Sequence, residues 1–196
     1  MDFSIGNSGA MLDPTAFPGS PADCYWSGTA GAQTGTHWSV QFSTLGLAGA
    51  NKDSLNCYTR CVRDEMTTAG PKPPVGTMSA SGGVIVDAYT NLTWQPDYID
   101  ANKFADAVTG CANLSLAGGG WRVPSIKELM TTVDASKQYP AIDDALFPGA
   151  YSSNDRYWST TANADYPTMR ETVLFYDGHI INSQPTTVGG HVRCVR

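Results

Sequence analysis

The spacing of apolar residues changes along the chain, and each change predicts an element. Trp38-Ser39-Val40-Gln41-Phe42 and Glu171-Thr172-Val173-Leu174-Phe175 alternate apolar and polar positions in the manner of half-buried strands. Val84-Ile85-Val86 and Asn91-Leu92-Thr93-Trp94 read as two short strands around an Asp87-Ala88-Tyr89-Thr90 turn. From Ile99 to Leu116 the period lengthens. Phe104, Ala105, Val108, Cys111 and Ala112 fall at helical spacing, with Asp100 as the expected N-cap. A second helix is predicted after Pro124, because Ser125 and Glu128 have the spacing of a capping box, and Gly118-Gly119-Gly120 separates the two. Past Tyr157 the pattern returns to strands: Thr172 to Tyr176, an Asp177-Gly178 turn, His179 to Asn182, and a terminal His191 to Val195.

An internal repeat organises these elements. Ala16-Phe17-Pro18-Gly19 recurs as Leu146-Phe147-Pro148-Gly149, Tyr25-Trp26-Ser27 as Tyr157-Trp158-Ser159, and Arg60-Cys61-Val62-Arg63 as Arg193-Cys194-Val195-Arg196. The offsets are 130, 132 and 133, so the copies keep register with small insertions. The segment from Met78 to Leu146 has no counterpart before Met11, which leaves the first copy without its front half. Between the copies, Pro71, Pro73 and Pro74 withhold backbone donors and force extended geometry. The expected organisation is a partial, β-rich repeat over 1–66, a Pro-rich linker over 67–77 and a complete unit over 78–196.

Composition narrows the function classes. A chain of 196 residues with 41% hydrophobic content can bury a core, and 20 Gly and 12 Pro with 15% charged residues describe a loop-rich protein. A formal charge of −6 and the lack of any basic stripe argue against nucleic acid. No apolar run approaches the roughly 18 residues of a membrane span. Met1-Asp2-Phe3 lacks the regions of a signal peptide, so an exported form is expected to have had its leader removed or replaced. Cys24, Cys57, Cys61, Cys111 and Cys194 form no CxxC pair, which disfavours zinc. Disulfides are the expected state, with buried thiols in a reducing compartment as the alternative, and the odd number leaves at least one thiol unpaired within the chain or bonded between chains.

Five ordered motifs, Leu92-Thr93-Trp94-Gln95, Gly120-Trp121-Arg122-Val123-Pro124-Ser125-Ile126-Lys127-Glu128-Leu129, Tyr157-Trp158-Ser159-Thr160-Thr161, Val173-Leu174-Phe175 and Val192-Arg193-Cys194-Val195-Arg196, resemble the Lcl C-terminal domain family, named for a bacterial collagen-like adhesin. The resemblance covers about Met78 to Arg196, with the back half repeated at Met11 to Arg63. It implies a C-type-lectin-like α+β fold, with two helices flanking a small twisted antiparallel sheet, in an exported bacterial protein that binds glycans or host surfaces. It also implies a Cys111–Cys194 disulfide. Cys61 occupies the Cys194 position without its usual partner. Cys24 and Cys57 align with Arg156 and Gly190, which leads to a Cys24–Cys57 pair and a free Cys61.

Within that frame a non-catalytic role is expected. His37, His179 and His191 sit in strand-like segments with no nucleophile motif around them, and no Gly-x-Ser-x-Gly, HExxH or P-loop occurs. Gln95-Pro96-Asp97 resembles a calcium-lectin tripeptide but sits too early in the unit and reads as a strand-ending turn. Asp143, Asp144 and Asp155 still leave oxygen donors for a structural calcium ion, the one cofactor considered. The expected ligand-binding set is Asp165, Tyr166, Arg170, Tyr176, His179 and Asn182, which offers rings for stacking on a sugar and directional hydrogen bonds; the alternative is that Tyr176 and His179 merely cover the sheet. His37 and Trp38 form an analogous stretch in the partial repeat. Trp121 and Trp158 are expected in the core, and Arg122 and Arg193 as buried or half-buried ties. The sequence thus reads as an extracellular or surface-displayed adhesin with a glycan or surface partner. The alternative is a filament, pilus-like or phage-appendage subunit that assembles through residues 11–63, where Cys61 could bond between chains.

Overall fold

The computed structural model describes residues 12–42, 48–62, 77–163 and 166–196. Asp165 and linker residues 67–76 lie outside them. The chain runs β1 (Cys24–Ala30), β2 (Thr36–Gln41), β3 (Ala48–Lys52) and β4 (Tyr58–Thr59), then β5 (Met78–Ser81), β6 (Val84–Asp87), β7 (Thr93–Trp94) and β8 (Ile99–Ala101). Helix α1 (Phe104–Asn113), a 3₁₀ turn (Leu116–Gly118) and α2 (Ile126–Met130) follow, then β9 (Arg156–Ala162), β10 (Arg170–Leu174), β11 (His179–Ser183) and β12 (Gly190–Val192). The architecture is α+β and mostly sheet.

The two copies of the repeat fold as the same four-stranded frame. One sheet has the order β3-β2-β1-β4, and the other has β11-β10-β9-β12 with β8 added at the edge. Register agrees residue by residue. Tyr25 faces Val40 as Tyr157 faces Val173, and Trp26 faces Ser39 as Trp158 faces Thr172. The parallel pair Tyr25 and Tyr58 matches Tyr157 and His191. A third sheet, β5-β6-β7, belongs to the complete unit alone.

Side-chain alternation sends the residues of the β9–β12 sheet to two opposite faces, and both are covered. On one, Tyr157, Val173, Phe175, Ile180 and Val195 pack with Ile85, Trp94, Ile126 and Leu129 of the front half. On the other, Trp158, Val192 and Cys194 pack with Ala107 and Cys111 of α1 and with Trp121. Both Trp121 and Trp158 are therefore core residues. Disulfides join Cys111 to Cys194 and Cys24 to Cys57, and Cys61 is a free, exposed thiol. The sequence separation of 83 between Cys111 and Cys194 makes that bond worth about 4 kcal/mol in restricted unfolded-chain entropy.

The expected start of the first helix needs correction. Residues 99–101 are strand rather than the first turn of a helix, because Ile99, Asp100 and Ala101 pair with Val192, His191 and Gly190. The helix starts after Lys103, and Asp106, not Asp100, accepts the hydrogen bond from the Lys103 N–H at 3.0 Å. Asp100 instead faces His191 Nδ1 at 2.8 Å. The second helix is one short turn and a half, but its capping box forms: the Ser125 hydroxyl accepts from Glu128 N–H at 3.3 Å, and Glu128 Oε2 accepts from Ser125 N–H at 2.8 Å.

The partial repeat lies against the complete unit through Trp38. Its ring is 7% exposed, and its Nε1 donates to Ala135 O at 3.0 Å. Gly178 makes room for it: a Cβ there would stand 2.8 Å from Trp38 Cη2, and φ is +82°, so an L side chain is excluded twice.

Candidate functional site

The hairpin of β10 and β11 separates the residues expected to bind ligand. Arg170 pairs with Ser183 at one end and Leu174 with His179 at the other, about 14 Å away along the strand. Asn182 faces Glu171, one position out of phase, and so points to the opposite face from Arg170 and His179. At the first end, Tyr166 is 54% exposed and its N–H donates to Asn163 Oδ1 at 2.8 Å. Arg170 lays its guanidinium over the Phe104 ring at 4.9 Å, which commits it to packing. Asn182 is turned inward, donating to Glu171 Oε2 at 3.1 Å, beside Asn163, which donates to Glu171 Oε1 at 2.8 Å.

Tyr176 and His179 sit at the other end, on the seam between the two frames. The ring of Tyr139 lies 4.3 Å from that of Tyr176, and the Tyr139 N–H donates to Tyr176 O at 2.8 Å. Tyr139 is 57% exposed at φ +59°, a left-handed conformation that a non-glycine residue adopts only when its surroundings hold it. The adjoining Ala141 N–H to Phe175 O bond, at 2.7 Å, helps hold it. Partial removal from water and the neighbouring Tyr139 phenol raise the Tyr176 pKa above its ordinary value. Around the pair, Gln33 and Gln138 join amides across the seam at 3.2 Å, and Asp177 Oδ1 meets His179 Nδ1 at 3.0 Å. Burial disfavours the Asp177 charge, but the hydrogen bonds and charge of His179 outweigh it and hold the carboxyl below the usual range. The His179 ring in turn lies 6.4 Å from that of Trp38.

Of the residues expected to bind ligand, Tyr176 and His179 lie here, and the structure sets Tyr139, Gln138, Gln33 and Asp177, which the sequence did not single out as ligand-binding, beside them. Gln138 and Tyr139 reach Tyr176 and Asp177 through the folding of the complete unit, and docking of the frames adds Gln33. Of the analogous pair in the partial repeat, Trp38 is consumed by that docking, while His37 stays exposed and faces Asp53 at 2.6 Å.

The chemistry of the remaining candidates is structural. Arg193 is fully buried, stacks on Phe147 at 4.9 Å and donates to the carbonyls of Gln95, Pro96 and Asp97, so that tripeptide serves as an acceptor cradle. Arg122 is a half-exposed tie, bidentate to Glu128 at 2.6 and 2.8 Å. Asp143 accepts from Ala145 N–H at 3.2 Å, and Asp155 accepts from Ser152 N–H at 2.6 Å. Among the described residues no three His, Cys, Asp or Glu side chains converge as metal ligands.

The sequence profile of the Lcl C-terminal domain matches residues 83–196. The chain belongs to the Lcl C-terminal domain family. Comparisons with curated proteins and with solved structures find no match. The matched span holds α1, α2 and the β9–β12 frame, so Tyr139, Tyr176 and Asp177 lie within the Lcl C-terminal domain, whereas Gln33 and Trp38 come from the partial repeat. Among the described residues no helix is long and apolar enough to cross a membrane.

Proposed function

We propose that this Lcl C-terminal domain protein is an exported, surface-acting adhesin of C-type-lectin-like architecture, which binds a glycan or a glycan-bearing surface without catalysing a reaction. The observation that carries the reading is the pair of an exposed Tyr139 and a half-buried Tyr176, flanked by the Gln33 and Gln138 amides and the Asp177 carboxylate. Aromatic faces pack against the C–H faces of sugars, while amides and carboxylates read hydroxyl directions. Two internal disulfides favour an oxidising compartment.

A glycan array followed by titration calorimetry tests the proposal. The intact chain is expected to retain a defined set of glycans, and Tyr139→Ala or Tyr176→Ala to weaken retention about tenfold, the loss of one stacking contact. Circular dichroism should show both variants folded. Full affinity in both variants would place the binding elsewhere, and failure of the intact chain to retain any glycan would overturn the adhesin reading.

A further inference from the structure

The partial repeat matches the back half of the complete unit, and equivalent residues of the two differ in burial. Val195 is fully buried and its counterpart Val62 is 92% exposed; Phe147 is 1% exposed and Phe17 is 40%. Cys194 is bonded to Cys111, whereas Cys61 is free. The frame itself is intact, since Arg60 stacks over Phe17 at 4.8 Å as Arg193 does over Phe147 at 4.9 Å. A groove of about 340 Å³ opens on it, lined mainly by Phe17, Tyr25, Trp26, Val40, Phe42 and Val62.

The complete unit displays what such a groove receives. There the matching residues Phe147, Tyr157, Val173, Phe175 and Val195 are covered by Ile85, Trp94, Ile126 and Leu129, all from the front half. Trp158, the counterpart of Trp26, packs edge-on against Phe104 at 5.9 Å. Strand β8 pairs antiparallel with β12, while β4, its counterpart, has an open outer edge among the described residues. A groove on one face, an unpaired strand edge and a thiol beside it thus stand where the complete unit holds an apolar core on one face, an edge strand, and a cysteine-bearing helix on the other face.

We propose that the groove of the partial repeat is a receptor for a front-half-like segment of another polypeptide: a strand laid antiparallel on β4, and an amphipathic helix whose cysteine bonds to Cys61. Apolar burial and backbone pairing select the segment, and the disulfide then locks it. In the covalent step the Cys61 thiolate attacks the donor cysteine within a disulfide it already carries. One S–S bond forms, one breaks, and the departing thiolate takes up a proton. No net oxidant is consumed.

The probe is a synthetic peptide of residues 83–131, whose single cysteine, Cys111, is carried as a glutathione mixed disulfide. It is mixed with the full-length chain, and Cys61–Cys111 cross-links are followed by mass spectrometry. The native peptide is expected to cross-link at least about tenfold faster than a scrambled peptide with the cysteine in place, because docking raises the local thiol concentration. Val62→Asp, at a position too exposed to disturb folding, should reduce the rate to that of the scrambled peptide. Cys61→Ser should abolish the cross-link yet keep amide protection at Tyr58 and Thr59 when the native peptide is added. Equal rates for the two peptides would overturn the proposal. So would a Cys61–Cys61 dimer that forms without peptide and protects the groove, since the occupant would then be a second copy of this chain.

Discussion

Arg193 and Arg60 occupy the same position in the same frame, each about 5 Å above a phenylalanine ring, yet they meet different solvents. Arg193 has lost all contact with water, which lowers its pKa, and it replaces hydration with hydrogen bonds to the carbonyls of Gln95, Asp97 and Pro148. A planar fork with several donors can serve that many acceptors, whereas an ammonium cannot reach them together. Arg193→Lys is therefore expected to cost about 3–5 kcal/mol, as breaking a buried charge network does. Arg60 is exposed, and Arg60→Lys should cost under about 1 kcal/mol. Urea denaturation of the two variants checks the contrast, and similar costs would show that burial is not what separates them.

At the scale of elements, the short helix α2 depends on its cap. Five residues cannot hold a helix by propensity alone, so the capping box and the packing of Ile126 and Leu129 carry it. The Arg122 guanidinium, against some desolvation and with help from Ser125, holds the Glu128 carboxyl down from about 4.5 to about 2. Because the folded value is the lower one, the unfolded chain binds more protons between these limits. The stabilisation is complete above about pH 5 and is lost as pH falls towards 2. With half of Arg122 in water it amounts to about 1–2 kcal/mol. Glu128→Gln should lower stability at neutral pH by that amount and flatten the stability profile between pH 5 and 2, as measured by denaturant titration at each pH. An unchanged profile would mean that Glu128 is not the group responsible. Strand β8 shows the other side of element formation: Asp100 suits a helix start by type, but pairing with β12 decides its conformation.

Across the whole molecule, Trp38 joins the two frames together with the Gln33–Gln138 amide pair and the approach of His179 to Gly49. Trp38 sits at the β10 position held in the complete unit by Glu171, and it inserts beside Gly178 and Val133. Trp38→Ala should remove about 2–4 kcal/mol from this contact. Amide exchange is expected to quicken in β1 to β3 while β9 to β12 keep their protection, each frame being held by its own disulfide. Uniform acceleration in both sheets would show instead that the frames unfold as one unit. Because the Tyr139–Tyr176 platform lies on the seam, the same variant should also weaken glycan retention through loss of Gln33.

Much of this was legible in the sequence because it is local or repeated. The capping box at Ser125 and Glu128 involves neighbours along the chain. The shared register of Tyr25 with Val40 and Tyr157 with Val173 follows from motifs recurring at nearly constant offsets. The family could be read from five motifs in order over about Met78 to Arg196, and the profile match covers 83–196 of that span. Tertiary structure decided what depends on distant neighbours. It made strand of residues 99–101, turned Asn182 inward towards Glu171, put Arg170 about 14 Å from His179, and brought Tyr139 to Tyr176. It also exposed Val62 while burying Val195 in an equivalent strand end. Sequence periodicity states which residues share a face, but burial depends on what lies opposite that face, and in the complete unit Ile85, Trp94, Ile126 and Leu129 lie opposite it.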